Sequence, residues 1–480
     1  MKPSIVWILS ILKSLHNLAQ AQAAKTCCQN YGWKWGRVRG VAIALLSLAL
    51  VYISISSGTL WAATTTANSC SQANVQSAVN LALDNDTVLV PPGTCTWSTL
   101  VVLDQKTITL QGAGIGQTII FDGTSKIASP PWYTTTMLAI RAKDGGLTRI
   151  TGFTFNGGVG TGDPNNQSIV NVINGTTNNF RFDHNAVITT RTSGLSINGC
   201  VNGVIDHNTW TLVAGAYGMY TKNGNSCDGG DYGDGAWTRP ANFGTSTFLF
   251  IEDNTFSADC AAFTAAVDGW SGMRVVFRHN SVNCTIGFTT HGTQQRQRGS
   301  RAVEAYANTF SRPTGFINGT AISVGSGAGL VYGNTVTGNF KHVGDWNDAR
   351  IDIFYNTWGQ CNGTSVWDGK MNSSGYPCID QVGRGAGDLI TGDPCCMVNT
   401  VTGTKAWPNQ GLEPSYSWNN TLNGAADFMV SNHPTYIQLK REYFNNLMPG
   451  YVSYTYPHPL ISASTANNPP PAPPTNVMVR

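Results

Sequence analysis

The sequence predicts an all-β chain wound into a right-handed parallel β-helix, a solenoid with an N-terminal capping helix. Three observations carry that prediction. The composition is poor in charge and rich in glycine, an asparagine returns at near-regular intervals, and apolar residues sit at fixed offsets around it. Of 480 residues, 11% are charged, 41% are hydrophobic and 53 are glycine, whereas an average globular protein has about 25% charged residues. So little charge beside so much apolar content excludes a disordered chain. Helical bundles and coiled coils need dense Ala, Glu, Lys, Leu and Arg and are excluded too. The net charge of +3 includes six basic residues before position 63 (Lys2, Lys13, Lys25, Lys34, Arg37, Arg39) and no acid there, so the remainder is acidic by three charges. That balance predicts no basic face for nucleic acid.

The first element, residues 1–62, reads as a leader. The apolar run 41–55 follows Lys34, Arg37 and Arg39 and precedes small residues up to Ala62-Ala63, the layout of a secretory signal. Cleavage near Ala62–Ala63 is expected, with no stable membrane insertion afterwards; a retained anchor is the alternative. Ten cysteines remain beyond Cys27 and Cys28. Cys70/Cys95, Cys200/Cys227, Cys260/Cys284 and Cys361/Cys378 read as local pairs, with Cys395-Cys396 vicinal. Zinc-type Cys spacing is missing, so disulfides outside the cytoplasm, in a secreted or cell-surface protein, are expected.

The cap comes next. Residues 72–84 read as a short amphipathic helix with Val75, Val79 and Leu83 on one face. The body of the helix, 63–462, is written in the repeat. Asn185, Asn208, Asn254, Asn280, Asn308, Asn334 and Asn356 each follow an apolar or small residue three positions earlier, and each precedes Val187, Trp210, Phe256, Val282, Phe310, Val336 or Trp358 two positions later. Positions five apart cannot share one face of a straight strand, where the period is two. Both can point inward if the chain turns a corner at the Asn, which tolerates a left-handed backbone, and stacked Asn side chains can hydrogen-bond from coil to coil. The one long step carries an insertion at about 215–244. Residues 463–480 form a Pro-rich extended tail.

Asp86-Thr-Val-Leu-Val-Pro-Pro-Gly-Thr94 and Ile108-Thr-Leu-Gln-Gly-Ala-Gly114, after the helical cap, resemble the pectin-lyase-like β-helix superfamily. Ile251–Phe256, Val276–Asn280, His291-Gly292, Arg298–Glu304 and Tyr454–Leu460 are similar to a group of secreted bacterial β-helix proteins of unassigned activity. The resemblance implies a solenoid with substrate laid along one parallel sheet, flanked by long turns. For this chain that implies a polysaccharide partner; it implies nothing about oligomeric state.

Two columns of side chains are candidates for chemistry. The position two before each Asn is expected to face outward and offers Asp183, Asp206 and Glu252 beside Arg278. Stacked carboxylates repel unless a cation intervenes, so a Ca²⁺ ion is one expectation and a hydrated face of ion pairs the other. The second column, before turn glycines, offers Asn174, Asn198, Asp268 and His291. Near it lie an acidic, aromatic turn (Asp228, Asp231, Tyr232, Asp234, Trp237) and an Arg-rich one (Arg296, Arg298, Arg301), with Glu304 beyond. A guanidinium cluster suits carboxylates, so the leading expectation is β-elimination on an acidic polysaccharide. In it His291, oriented by Asp268, is the base, Arg298 and Arg301 assist catalysis, and Arg296, Glu304, Trp237 and Tyr232 bind substrate. The alternatives are a non-catalytic adhesin, glycan-binding or structural solenoid, and a glycoside hydrolase pairing Asp268 with Glu304 or loop aspartates. No nucleophile elbow, phosphate loop or zinc-peptidase motif occurs.

Overall fold

The computed structural model describes residues 62–126, 136–157, 168–190, 193–213, 216–224, 227, 232–260, 264–293, 297–313, 319–347, 379–391, 398–399 and 409–465. The leader, the end of the tail, Arg296, Asn356, Asp228, Asp231 and the cysteines at 361, 378, 395 and 396 lie outside them. Residues from Ala62 onward form one compact unit.

Its strands stack in parallel as three sheets, of which the first two are continuous through the long strands Ser168–Asp183 and Ser193–Asp206. The first runs from Val101–Asp104 and Leu138–Arg141 through the early parts of Ser168–Asp183 and Ser193–Asp206. It continues with Tyr217–Lys222, Ala265–Trp270, Ile286–Thr290, Thr320–Val324, His342–Trp346 and Met429–Ser431. The second takes the later parts of the same two long strands, then Leu249–Glu252, Arg274–Arg278, Ala302–Tyr306, Ala328–Tyr332 and Ser415–Trp418. The third begins at Gly93–Trp97 and runs through Thr209–Leu212, Thr255–Ala258, Ser281–Asn283, Thr309–Arg312 and Thr335–Gly338. An all-β solenoid of parallel strands is therefore present. Gln72–Leu81 is helical and buries Val75, Ala78 and Val79. Leu83, expected on that buried face, lies past the helix end and is exposed.

The asparagines form a continuous ladder at the corner between the second and third sheets. In the order Asn185, Asn208, Asn254, Asn280, Asn308, Asn334, Asn420, each Oδ1 after the first accepts from the backbone N–H and the Nδ2 of the Asn one coil back, and that of Asn185 accepts from the Phe153 amide. The last rung is Asn420, supplied by a later segment. The left-handed residue is not the Asn itself but the one before it: His184, His207, Asp253, His279, Ala307, Gly333 and Asn419 all have φ between 51° and 63°. With the bend taken there, the Asn turns its amide inward to bond along the stack. Inside the coils, Phe153, Phe155, Phe182, Trp210 and Phe256 stack face to face or tilted, with centroids 5.0 to 6.1 Å apart, and all are fully buried.

Three disulfides close local loops as expected: Cys70–Cys95, Cys200–Cys227 and Cys260–Cys284. Among the described residues no helix is long and apolar enough to cross a membrane.

Candidate functional site

The outward column of the second sheet is not a solvated face, and this corrects the metal expectation. Asp183 and Asp206 are fully buried, as is Glu252. Arg149 grips Asp183 through Nε at 2.7 Å and Nη2, Arg181 grips Asp206 at 2.9 and 2.7 Å, and Arg278 grips Glu252. The segment Tyr451–Ile461 lies over this ladder. Its carbonyls at Tyr454, Thr455, Leu460 and Ile461 accept from Arg278 and Arg181, and the His458 amide donates to Glu252. Asp183, His184 and Asp206 do bring three possible ligand atoms within 4.8 Å of one another. Yet arginines already stand where a cation would, and their guanidinium charges oppose a second positive centre. The residues present do not fit Ca²⁺. Sequence reasoning missed the cover because nothing in the repeat announces that a distant segment returns to lie on it.

The arginine-lined groove is corrected for the same reason. Arg298 is wholly buried, bidentate to Asp380 at 2.7 and 2.6 Å and within 3.4 Å of Asp234. Arg301, equally buried, pairs with Glu413 and with the Arg239 carbonyl. Trp237 is buried between the two guanidinium groups, each 5.3 Å from its ring. These groups pin the insertion to the segments around Asp380 and Glu413 and do not face solvent. Glu304 is buried on the second sheet, accepting from the Gly244 amide and the Tyr451 hydroxyl. Tyr232 is exposed.

The first sheet keeps the remaining pair. His291 Nε2 lies 3.0 Å from an Asp268 carboxylate oxygen, with the His291 side chain 27% exposed and that of Asp268 4%. They are not in one column. Asp268 stands in register between Tyr220 and Thr289, whereas Asn198, Lys222 and Trp270 line up on the neighbouring rank that His291 extends. The contact is a diagonal one across adjacent coils. Trp270 is the hub: Lys222 Nζ sits 4.2 Å from its ring centroid, the Tyr220 ring 5.4 Å away edge-on, and the His291 ring 5.7 Å away edge-on. Lys222 and Tyr220 were not singled out from the sequence, although Lys222 precedes Asn223-Gly224 much as Asp268 precedes a turn glycine. A lone lysine in a charge-poor segment was the available signal.

Burial pushes the Lys222 ammonium down to about 8, against the pull of Asp268. Burial would also depress His291, but the Asp268 carboxylate outweighs it and raises the imidazole above its ordinary value. Burial first, then Asp268, pushes the Tyr220 phenol up, so it holds its proton at neutral pH. One face thus gathers an imidazole whose charged form is favoured, a partly neutral amine and a protonated phenol. Farther along the Asp268 column, Thr289, Ser323 and Asp345 follow and line a cavity of about 550 Å³ with Lys341, His342 and Asn432.

No protein-family model matches the chain, and neither does any curated protein sequence. Among solved structures it is similar to an alginate lyase from Paenibacillus sp. str. FPU-7, with 14% identity and a TM-score of 0.34 over 58% of this chain and 97% of that one. It is also similar to the catalytic domain of a GH87 alpha-1,3-glucanase. In complex with tetrasaccharides that domain gives 12% identity and a TM-score of 0.35, and in complex with nigerose 10% and 0.34, each over 82% of this chain and 68% of the other.

Proposed function

We propose that this chain is a secreted, polysaccharide-active enzyme of the right-handed β-helix class that cleaves an acidic glycan by β-elimination on its first sheet. The observation that carries the reading is the meeting of Tyr220, Lys222, Asp268 and His291 around Trp270, in a protein with few charges to place. β-Elimination needs a positive group for the uronate carboxylate, a base for the C5 proton and an acid for the leaving oxygen. His291, whose charged form Asp268 favours, is the carboxylate partner. Lys222, brought down by burial to about 8, is the base; this moves that role from His291, whose charged form the neighbouring Asp268 carboxylate favours. Tyr220 gives its proton to the glycosidic oxygen as the C4–O bond breaks and the C4–C5 double bond forms.

Hydrolysis by paired carboxylates has less support. The intermediate rungs between Asp268 and Asp345 are Thr289 and Ser323, so those two acids are three coils or ~14 Å apart at the inter-strand spacing, beyond the ~6.5–9.5 Å of an inverting pair. Asp234 and Glu304 are committed to internal contacts. The disulfides support an oxidising compartment.

The test is a panel of acidic and neutral polysaccharides incubated with the purified chain. Ultraviolet absorbance of unsaturated uronate should rise with an acidic substrate and be lost in Lys222→Ala. New reducing ends without that absorbance would instead assign hydrolysis, and binding without either product would assign a glycan-binding solenoid.

A further inference from the structure

We propose that the third sheet is an ice-binding face, a function separate from the site on the first sheet. Its outward residues across five successive coils are Thr209 and Thr211, Thr255 and Ser257, Ser281 and Asn283, Thr309 and Ser311, and Thr335 and Thr337. The register is unbroken between all five coils. Every one of these ten side chains ends in a hydroxyl or an amide, and none is charged. Eight are exposed, and Ser257 and Ser311 are half-buried.

The first rank is the telling one. Ser257, Ser311 and Thr337 in the second rank donate to protein acceptors (the Trp210 carbonyl, Asn283 and the Phe310 carbonyl). Thr209, Thr255, Ser281, Thr309 and Thr335 make no side-chain hydrogen bond to any described protein group. They form a row of exposed hydroxyls with no partner among the described residues.

Backbone geometry fixes the spacing of that array. Hydroxyls recur every ~4.8 Å along the first rank, and the second rank lies two residues or ~6.6 Å away, a regular array on the length scale of the oxygen repeats of ice. The mesh is rigid. Beneath it Trp210, Phe256, Val282, Phe310 and Val336 are buried, and the Asn ladder locks each coil to the next. Binding to a lattice by many weak hydroxyl contacts requires such preorganisation, since each contact alone barely competes with liquid water.

Charge complementarity selects the occupant. A face without charge offers nothing to a polyanion, a nucleic acid or a charged membrane. A neutral crystalline polysaccharide would want exposed aromatic rings to stack on, and all the rings of these strands point inward. The six threonines, four of them in the first rank, each set a methyl beside the hydroxyl, a surface on which water orders in place. Ice fits all of these.

The test uses the full chain in a slowly growing ice hemisphere and in an ice-recrystallisation assay. The unaltered protein is expected to enter the ice and to stop grain growth. Thr255→Tyr and Thr309→Tyr lift a ring out of the plane at the centre of the face while keeping strand propensity, and incorporation should fall to the level of a non-binding control protein. Leu447→Tyr, at an exposed position away from the sheet, should leave it unchanged. Melting curves confirm that each variant is folded; if the tyrosines unfold it, Ser281→Lys replaces them. Exclusion of the unaltered chain from ice, or equal uptake by the face variants, overturns the proposal. So does capture by microcrystalline polysaccharide without uptake into ice.

Discussion

Replacing Asn280 by Ala should cost the solenoid more than any surface substitution can. Asn280 is 2% exposed and accepts from the Asn254 amide at 3.0 Å and the Asn254 Nδ2 at 3.1 Å. It donates to the Ile251 and Arg278 carbonyls at 2.9 Å each and to Asn308 at 3.1 Å. Truncation leaves the buried backbone N–H of Asn254 without its acceptor, worth about 1–3 kcal/mol when unsatisfied, while the Asn254 Nδ2 keeps the Ile205 and Glu252 carbonyls. The orphaned carbonyls and the small cavity add to this, so about 3–6 kcal/mol is expected. Asn283, three residues on but exposed, should cost no more than about 0.5 kcal/mol as Ala. Urea unfolding followed by fluorescence reads the difference, because Trp210 is buried two coils away. Equal midpoints for N280A and N283A would refute the claim that the ladder holds the corner.

Arg298→Ala should destabilise by about 3–5 kcal/mol, because it leaves Asp380 and Asp234 buried without their cation; calorimetry checks this, and an unchanged melt would refute it. His458 is held down to about 4, by burial first and then by Arg278, against an ordinary value of 6.5. The unfolded strand therefore binds the proton first. The stabilising share of His458 is complete above about pH 6.5 and lost as pH falls through about 4. Limited proteolysis of 451–461 should accelerate across that window, with Arg181, Asp206, Glu252 and Arg278 as the other charges it meets, and His458→Asn should flatten the dependence. If Lys222 is the base, turnover on a confirmed uronate polymer should rise with pH through about 8, and a profile flat there would remove it from that role.

The coil was legible because a solenoid repeats its physics. Each Asn met the same neighbours, so Trp210, Phe256 and Phe310 could be placed inward before any coordinates. The left-handed residue was misplaced by one, because residue types at that position vary from His to Ala and only backbone geometry shows that each bends. Leu83 was misread since helical periodicity continues past the point where the chain leaves the helix. The cover over Asp183, Asp206 and Glu252 was illegible for another reason. Residues 451–461 meet strands some two hundred positions earlier, and nothing local records such a contact.

The same limit explains why the arginines misled and the lysine was overlooked. Charge-poor chains advertise their few ions, and Arg298 and Arg301 fall close together in sequence. A guanidinium with five fixed donors can satisfy carboxylates and carbonyls on several segments at once, which suits it to fastening an insertion to a solenoid. Arg298 joins Asp234 of the insertion to Asp380, and Arg301 joins Arg239 to Glu413. An ammonium gains less from such a post and shifts its pKa more readily when buried. Where this fold places Lys222 against Trp270 with only the Asp268 charge to oppose burial, it leaves a group that can exchange a proton near neutral pH. On the described faces, fastening has gone to arginine and proton transfer to lysine, so a change of Lys222 should alter chemistry and a change of Arg298 should alter folding.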